Sequence, residues 1–334
     1  MIRLPDGSRA THHDIAEIAG VGVATVDRVL NQRGGVGAAK EEAVLRAAKE
    51  LGFDRRLPEI TNRIEILLPA NPTPFWGMMS EAFERFTKEL PGHYEVSCKH
   101  YPENNLPALK DAILGSRQSR RALIVAPDAA EEVLPYLKEA MIRGERVVTL
   151  TTEVPGLSNH VHSGIDNVKA GRTAAHLMKG WIHRPGRILL LVSQSRRAEH
   201  RQRVQGFCDA IGSAFDIETY WTEQNLLPQA DIVQRALEVG DIVGIYDASH
   251  DEPAMGDVIR NAGTKPVWIG HECSEFHVRM CQEGLMDFIL DQDAELQAGF
   301  ALHAATLDDE EVRANHSRPP KPARLRIFCR ENLA

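Results

Sequence analysis

Six polar residues stand at the close of short apolar runs: Asn71 after IEILLPA, Asp128 after ALIVAP, Asp166 in HVHSGID, Asp247 in IVGIYD, Glu272 after PVWIGH and Gln292 in MDFILDQ. Carboxylates and amides so placed can accept hydrogen bonds from hydroxyl groups, and Phe75 and Trp76 add ring faces for C–H contact. Arg203, in RQRVQGF, carries five fixed donors suited to hydroxyls or a carboxylate. Any one polar residue at a strand end can equally be solvated or cap the next helix, so the set rather than its members marks a cleft. His250, Asp251 and His271 are secondary candidates, and the basic residues Arg196, Arg197 and Arg201 read as a solvated helix start. Buried acids could do proton chemistry. The chain has no GxSxG elbow, phosphate loop, HExxH pair or post-strand GxGxxG, which points to binding without turnover. His160 and His162 lack a partner set at metal-ligand spacing and read as structural; no cofactor is expected.

The elements that must hold these groups alternate. Apolar runs at 64–69, 94–101, 122–127, 146–151 and 160–166, then at 187–192, 215–223, 242–247, 266–271 and 286–291, read as strands. Amphipathic stretches such as 76–90, 105–115, 130–143, 168–183 and 198–212 read as covering helices. Ten strands suggest two doubly wound α/β lobes, with ligand groups at the strand ends between them.

Residues 11–31, THHDIAEIAGVGVATVDRVLN, carry a different chemistry. Thr11 can cap a helix with Asp14 answering it, Gly20 suits a left-handed turn, and a second helix follows Gly22. Ile15, Ala16, Ile18 and Ala19 make an apolar face that Val21, Val26, Val29 and Leu30 can close, leaving Val23, Ala24, Thr25, Asp27 and Arg28 outward. A tight helical hairpin would show the same glycine spacing. As a helix-turn-helix, the unit would place its second helix in the major groove and hold phosphates around the turn.

This segment resembles the N-terminal signature of the LacI/GalR family of bacterial repressors: Asp14, Ile15 and Ala16, then Ala19, Gly20 and Val21, then Thr25, Val26, Arg28, Val29, Leu30 and Asn31. The match continues through Val36 and the helix ending at Leu51, Gly52 and Phe53. Gly22 and Asp27 depart from it, since the family usually has serine at both places. Asp27 is expected to pair with Arg28 or turn from the phosphates. The resemblance implies a DNA-facing set of Thr11, Gly22, Val23, Ala24, Thr25, Arg28 and Asn31, in which Val23 and Ala24 can touch a thymine methyl but form no bidentate bonds. The family's hinge helix finds little room in DRRLPEITNR, residues 54–63, which reads as a short extended linker with Leu57 the sole wedge candidate. From residue 64 the element order resembles the periplasmic-binding-protein body of these repressors, ribose-like branch. That likeness implies sugar contacts from Asn71, Phe75, Trp76, Asp128, Asp166, Arg203, Asp247, Glu272 and Gln292, and Arg330–Leu333 resembles a frequent ending among them.

At 334 residues, 43% hydrophobic and 26% charged, the chain is long enough for two or three ordinary globular domains. The first 63 residues carry ten Lys and Arg against nine Asp and Glu, so the rest holds about −9 of the −8 total and the head is only weakly basic. No apolar run reaches signal or membrane-spanning length, and five scattered cysteines suggest reduced thiols in the cytoplasm. The expected organisation is a DNA-binding head at 1–53, a linker at 54–63 and a two-lobed effector and dimerisation body at 64–334. The expected molecule is a homodimeric repressor, not an enzyme, that answers to a sugar-like effector; dimerisation follows because one head offers too few contacts for specific affinity. The competing reading is a solute-binding sensor acting through protein contacts.

Overall fold

The structure is a computed structural model that describes residues 10–31, 33, 35–53, 62–115, 120–192, 197–221, 227–248, 253–307 and 323–333. Linker residues 54–61 with Leu57, and Arg196, His250 and Asp251, lie outside the described residues.

The head is three helices, α1 (His12–Ala19), α2 (Val23–Leu30) and α3 (Ala38–Glu50). The Thr11 hydroxyl accepts from the Asp14 amide at 3.4 Å, and the Asp14 carboxylate accepts from the Thr11 amide at 2.7 Å, so two helix-start donors are satisfied reciprocally. Gly20 takes φ 64 and ends α1, a conformation that costs a side-chain-bearing residue energy. Ile15, Val26, Val29, Val44, Leu45 and Ala48 close the small core. Ile18, expected on that apolar face, is 52% exposed because Ile15 and Ala16 already fill the stripe toward α2 and α3.

The body holds two sheets. The first comprises β1 (Asn62–Pro69), β2 (Tyr94–Tyr101), β3 (Ala122–Val125), β4 (Arg146–Leu150) and β5 (Val161–Ser163), in the order β2-β1-β3-β4-β5 and parallel throughout. It is covered by α4 (Pro74–Glu89), α5 (Leu106–Leu114) and α6 (Ala130–Ile142). The second comprises β6 (Arg187–Val192), β7 (Asp216–Trp221), β8 (Ile242–Asp247), β9 (Val267–His271), β10 (Phe288–Asp291) and β11 (Arg326–Phe328), in the order β11-β10-β9-β8-β6-β7. Among its helices are α7 (Asn167–Trp181), α8 (Ala198–Ile211), α9 (Gln229–Val239), α10 (Ala254–Asn261) and α11 (Glu275–Gln282). Inner strands are buried on both faces, which is why they read as continuous apolar runs. Asn62 and Arg63, assigned above to the linker, extend β1 and pair with Tyr94 and Glu95 of β2.

A last helix, α12 (Ala294–Thr306), follows β10 yet packs its alanine-rich face on the first sheet, against α4 and β4. Its crossing, the β5-to-α7 crossing and the contact of the Ala323 amide with the Gly164 carbonyl at 3.1 Å lie together between the lobes. The Ser163 hydroxyl fastens two of them by donating to the Gln297 carbonyl at 2.8 Å. Cys98 is exposed because β2 is an edge strand.

Candidate functional site

The outer face of α2 presents Val23, Ala24 and Arg28 to solvent, with Thr25 half-buried. Ala24, Asp27, Arg28, Arg33 and Gly35 surround a shallow depression. Asp27 does not pair with Arg28: its carboxylate accepts from Arg33 and from the Asn31 side chain, each at 2.7 Å. The acidic departure is thereby neutralised within the head, and Arg28 has no acidic partner among the described residues. Asn31 is correspondingly engaged with Asp27, Thr11 is engaged in its cap, and Gly22 precedes α2 in an extended conformation.

In the body, the carboxyl ends of both sheets converge. At the near wall, Asn71 donates to Glu103 at 2.9 Å and Asp128 accepts from the Asn104 amide at 2.7 Å. Arg197, expected to be solvated, is instead 3% exposed. Its guanidinium reaches across from the second lobe to Glu103, pairs with Glu199 at 3.2 Å and lies 5.5 Å from the centre of the Trp76 ring. Glu199 in turn accepts from Thr152 of the first lobe at 2.6 Å. Burial disfavours charge on Arg197, but Glu199 and Glu103 outweigh it and raise its pKa; burial of Glu199 is likewise outweighed by Arg197, which lowers its pKa. Trp76 is 7% exposed, sandwiched between this guanidinium and the edge of Phe75.

The floor belongs to the second lobe. Arg203 donates from Nε to the Asn167 side chain at 2.9 Å and ties α8 to α7. Glu272, at the end of β9, has φ 71, and its carboxylate accepts from Gln292 Nε2. His271 is buried with Nε2 2.8 Å from the Tyr246 hydroxyl. Burial, reinforced by Arg203, depresses the His271 pKa and keeps it neutral, whereas burial drives the Glu272 carboxyl up to about 7 against the partial offset of Arg203. Glu272 Oε2, Gln292 Oε1 and His271 Nδ1 have no hydrogen-bond partner among the described residues. Asp247 is buried at the end of β8. Of the five described non-glycine residues with positive φ, Thr151 and Glu272 adjoin this polar lining, and Asn104 and Asp293 directly follow Glu103 and Gln292; sparsely populated backbone of this kind gathers where side chains must be aimed.

Asp166 is not among these buried groups. It is exposed and caps α7, accepting from the Lys169 amide at 2.9 Å and pairing with its ammonium group, because the polar residue before a helix is the one best placed to satisfy its free amides. The buried member of that pair is its neighbour Asn167. Glu103, Arg197 and Glu199 escaped sequence reasoning, although Glu103 does sit two residues past a strand end, the signal used for the others.

Three helices on a two-lobed α/β body with a polar cleft define a small helical head carried on a body of binding-protein architecture. The model for bacterial regulatory proteins of the lacI family matches residues 11–55, and that for the periplasmic binding protein domain matches residues 64–307. The chain belongs to the lacI family of bacterial regulatory proteins, with a body of periplasmic-binding-protein type. It is 21% identical over 212 residues to the HTH-type transcriptional regulator DegA of Bacillus subtilis, covering 62% of each chain. It is 27% identical to GalS of Salmonella typhimurium over 60% of this chain and 59% of that one, and 42% identical over 94 residues to the ribose operon repressor of Halalkalibacterium halodurans, 26% and 28% of the two chains. The matches span about three fifths or less of these relatives' length. The body shares its fold with a solute-binding protein from Burkholderia graminis solved with D-arabinose (TM-score 0.69, 16% identity, 81% of this chain and 96% of that one). GanP, a glucose-galactose binding protein from Geobacillus stearothermophilus, gives a TM-score of 0.66 at 17% identity over 82% and 99%.

Proposed function

We propose that this protein is a homodimeric transcriptional repressor whose operator affinity answers to a sugar or related polyol held between the lobes. In this reading residues 1–53 form the reader, 54–63 the linker and 64–334 the effector body. The observation that carries it is the floor of the cleft: two buried acceptor atoms, Glu272 Oε2 and Gln292 Oε1, and a neutral imidazole nitrogen, all without partners among the described residues, on a chain whose head is a lacI-type helix-turn-helix. Buried polar atoms left unpaired cost about 1–3 kcal/mol each, and ligand hydroxyls would recover that. Asn71, Phe75, Trp76, Asp128, Arg203, Asp247, Glu272 and Gln292 form or support the effector site, and Val23, Ala24, Thr25 and Arg28 face DNA. Members of this family act by binding rather than by catalysis, and among the described residues no helix is long and apolar enough to cross a membrane; we place the protein in the cytoplasm.

The test is fluorescence anisotropy with DNA upstream of the protein's own operon, at stated salt because phosphate contacts make affinity steeply salt-dependent. A panel of pentoses, hexoses and polyols first sorted by thermal shift should contain a compound that stabilises the protein and changes its DNA affinity. A protein that binds such a compound but no promoter fragment would favour the sensor reading instead.

A further inference from the structure

Gly37 precedes α3 with φ −66 and ψ 146, a conformation open to any residue, so nothing in its own backbone calls for glycine. A Cβ at this position would stand 2.2 Å from the carbonyl oxygen of Arg143 and 3.6 Å from the Cα of Gly144, both in the α6–β4 turn of the first lobe. Gly144 explains itself differently, since its φ of 87 is left-handed. Glycine is also acceptable at a helix N-cap, but the approach of head and body is what leaves no room for a side chain at 37.

The contact has favourable electrostatics. Gly37 caps the start of α3 and Arg143 caps the end of α6, so the positive end of one helix dipole meets the negative end of the other. One turn along α3, Glu42 lies 3.8 Å from the Arg121 guanidinium. That guanidinium also donates to the carbonyls of Thr306 at 3.3 Å and Leu307 at 2.7 Å, where α12 ends. The start of α12 is anchored at the cleft: Asp293 caps it and Gln297 donates from its first turn to the Gln292 carbonyl at 2.9 Å.

We propose that the α6–β4 turn and Arg121 form a docking surface for the chain's own head, with α3 as the docked element and Gly37 as the position that specifies it. Arg121 then joins the head to the end of α12 opposite the cleft, so movement of α12 during lobe closure bears on whether the head is held or released. The docking goes beyond the regulatory reading and is testable without DNA or effector.

Hydrogen exchange on the full chain decides it. Gly37→Ala should speed exchange in the peptide spanning 141–147 at least tenfold while peptides carrying the head core, Val26 and Val44, stay protected. Unchanged exchange at 141–147 with the head core intact overturns the proposal. If the head core itself loses protection, Glu42→Lys, a change on a partly exposed helix face that sets like charges together at Arg121, provides the reading: faster exchange at 141–147 supports docking, and wild-type exchange there overturns it.

Discussion

Glu272 shows what a single residue can be asked to do. Its carboxyl titrates near 7 instead of 4.5 because burial disfavours the charge. Below about 4.5 the folded and unfolded chains both hold the proton; from there to about 7 only the folded chain does, so its contribution makes stability fall as pH rises across that window, by at most about 3 kcal/mol, and constant above it. Glu272→Gln should flatten this slope in urea titrations at pH 5 and 8. A hydroxyl-bearing effector donates to the ionised form, so its affinity should drop about fivefold between pH 7 and 6 in calorimetry, and the glutamine variant should lose that dependence. In the head, Arg28→Ala should cost about 1–3 kcal/mol of specific operator binding per half-site while effector affinity by calorimetry stays put. The residue types at strand ends were legible because a strand's exit is where a polar group is both needed and exposed to a cleft. Arg197 was not legible: a basic residue before a helix ordinarily reaches solvent, and only Glu103 and Glu199, brought to it by folding, make burial tolerable. Asp166, read as a ligand contact, is seen capping α7, since a helix cap and a ligand contact look alike in sequence.

Elements were read more securely than residues. Strands at 187–192 and 242–247 fall where the apolar runs place them, because buried parallel strands write their pattern directly into the sequence. β11 was missed; three residues whose first two are exposed, paired antiparallel at an edge, leave no run to see. Also hidden was a close helix pairing in the body. Gly171 of α7 and Gly206 of α8 face each other's backbones, and a Cβ on either would lie 2.0 Å from a carbonyl oxygen, of Arg203 or Val168 respectively. Helices so close cannot admit a methyl group without separating. Separation would break the Arg203–Asn167 bond behind the cleft floor. Gly206→Ala should therefore destabilise the fold by about 3 kcal/mol, seen as a lower urea midpoint, and should weaken effector binding although residue 206 touches no effector.

At the scale of the molecule, the two lobes are bridged by their own charges. Glu103 and Thr152 come from the first lobe and Arg197 and Glu199 from the second, so the chain Asn71–Glu103–Arg197–Glu199–Thr152 crosses the cleft twice. Its members lie up to 128 positions apart, and no sequence periodicity records such pairings, whereas the division into two lobes was already implied by strand number. The bridge joins the lobes around a floor that still has unpaired acceptors among the described residues, and under the proposed function the near wall sets lobe spacing while the floor takes the ligand. Removing one partner of a buried ion pair costs about 3–5 kcal/mol because the remaining charges stay desolvated. In Arg197→Ala that penalty falls on Glu103 and Glu199, and both can rehydrate if the lobes part. The variant should show a larger radius of gyration than wild type by small-angle scattering without effector and contract when effector is added. Should the lobes hold their spacing without Arg197, closure would rest on the crossings fastened by Ser163 and Gln297, and the ion bridge would be left with a role in shaping the near wall alone.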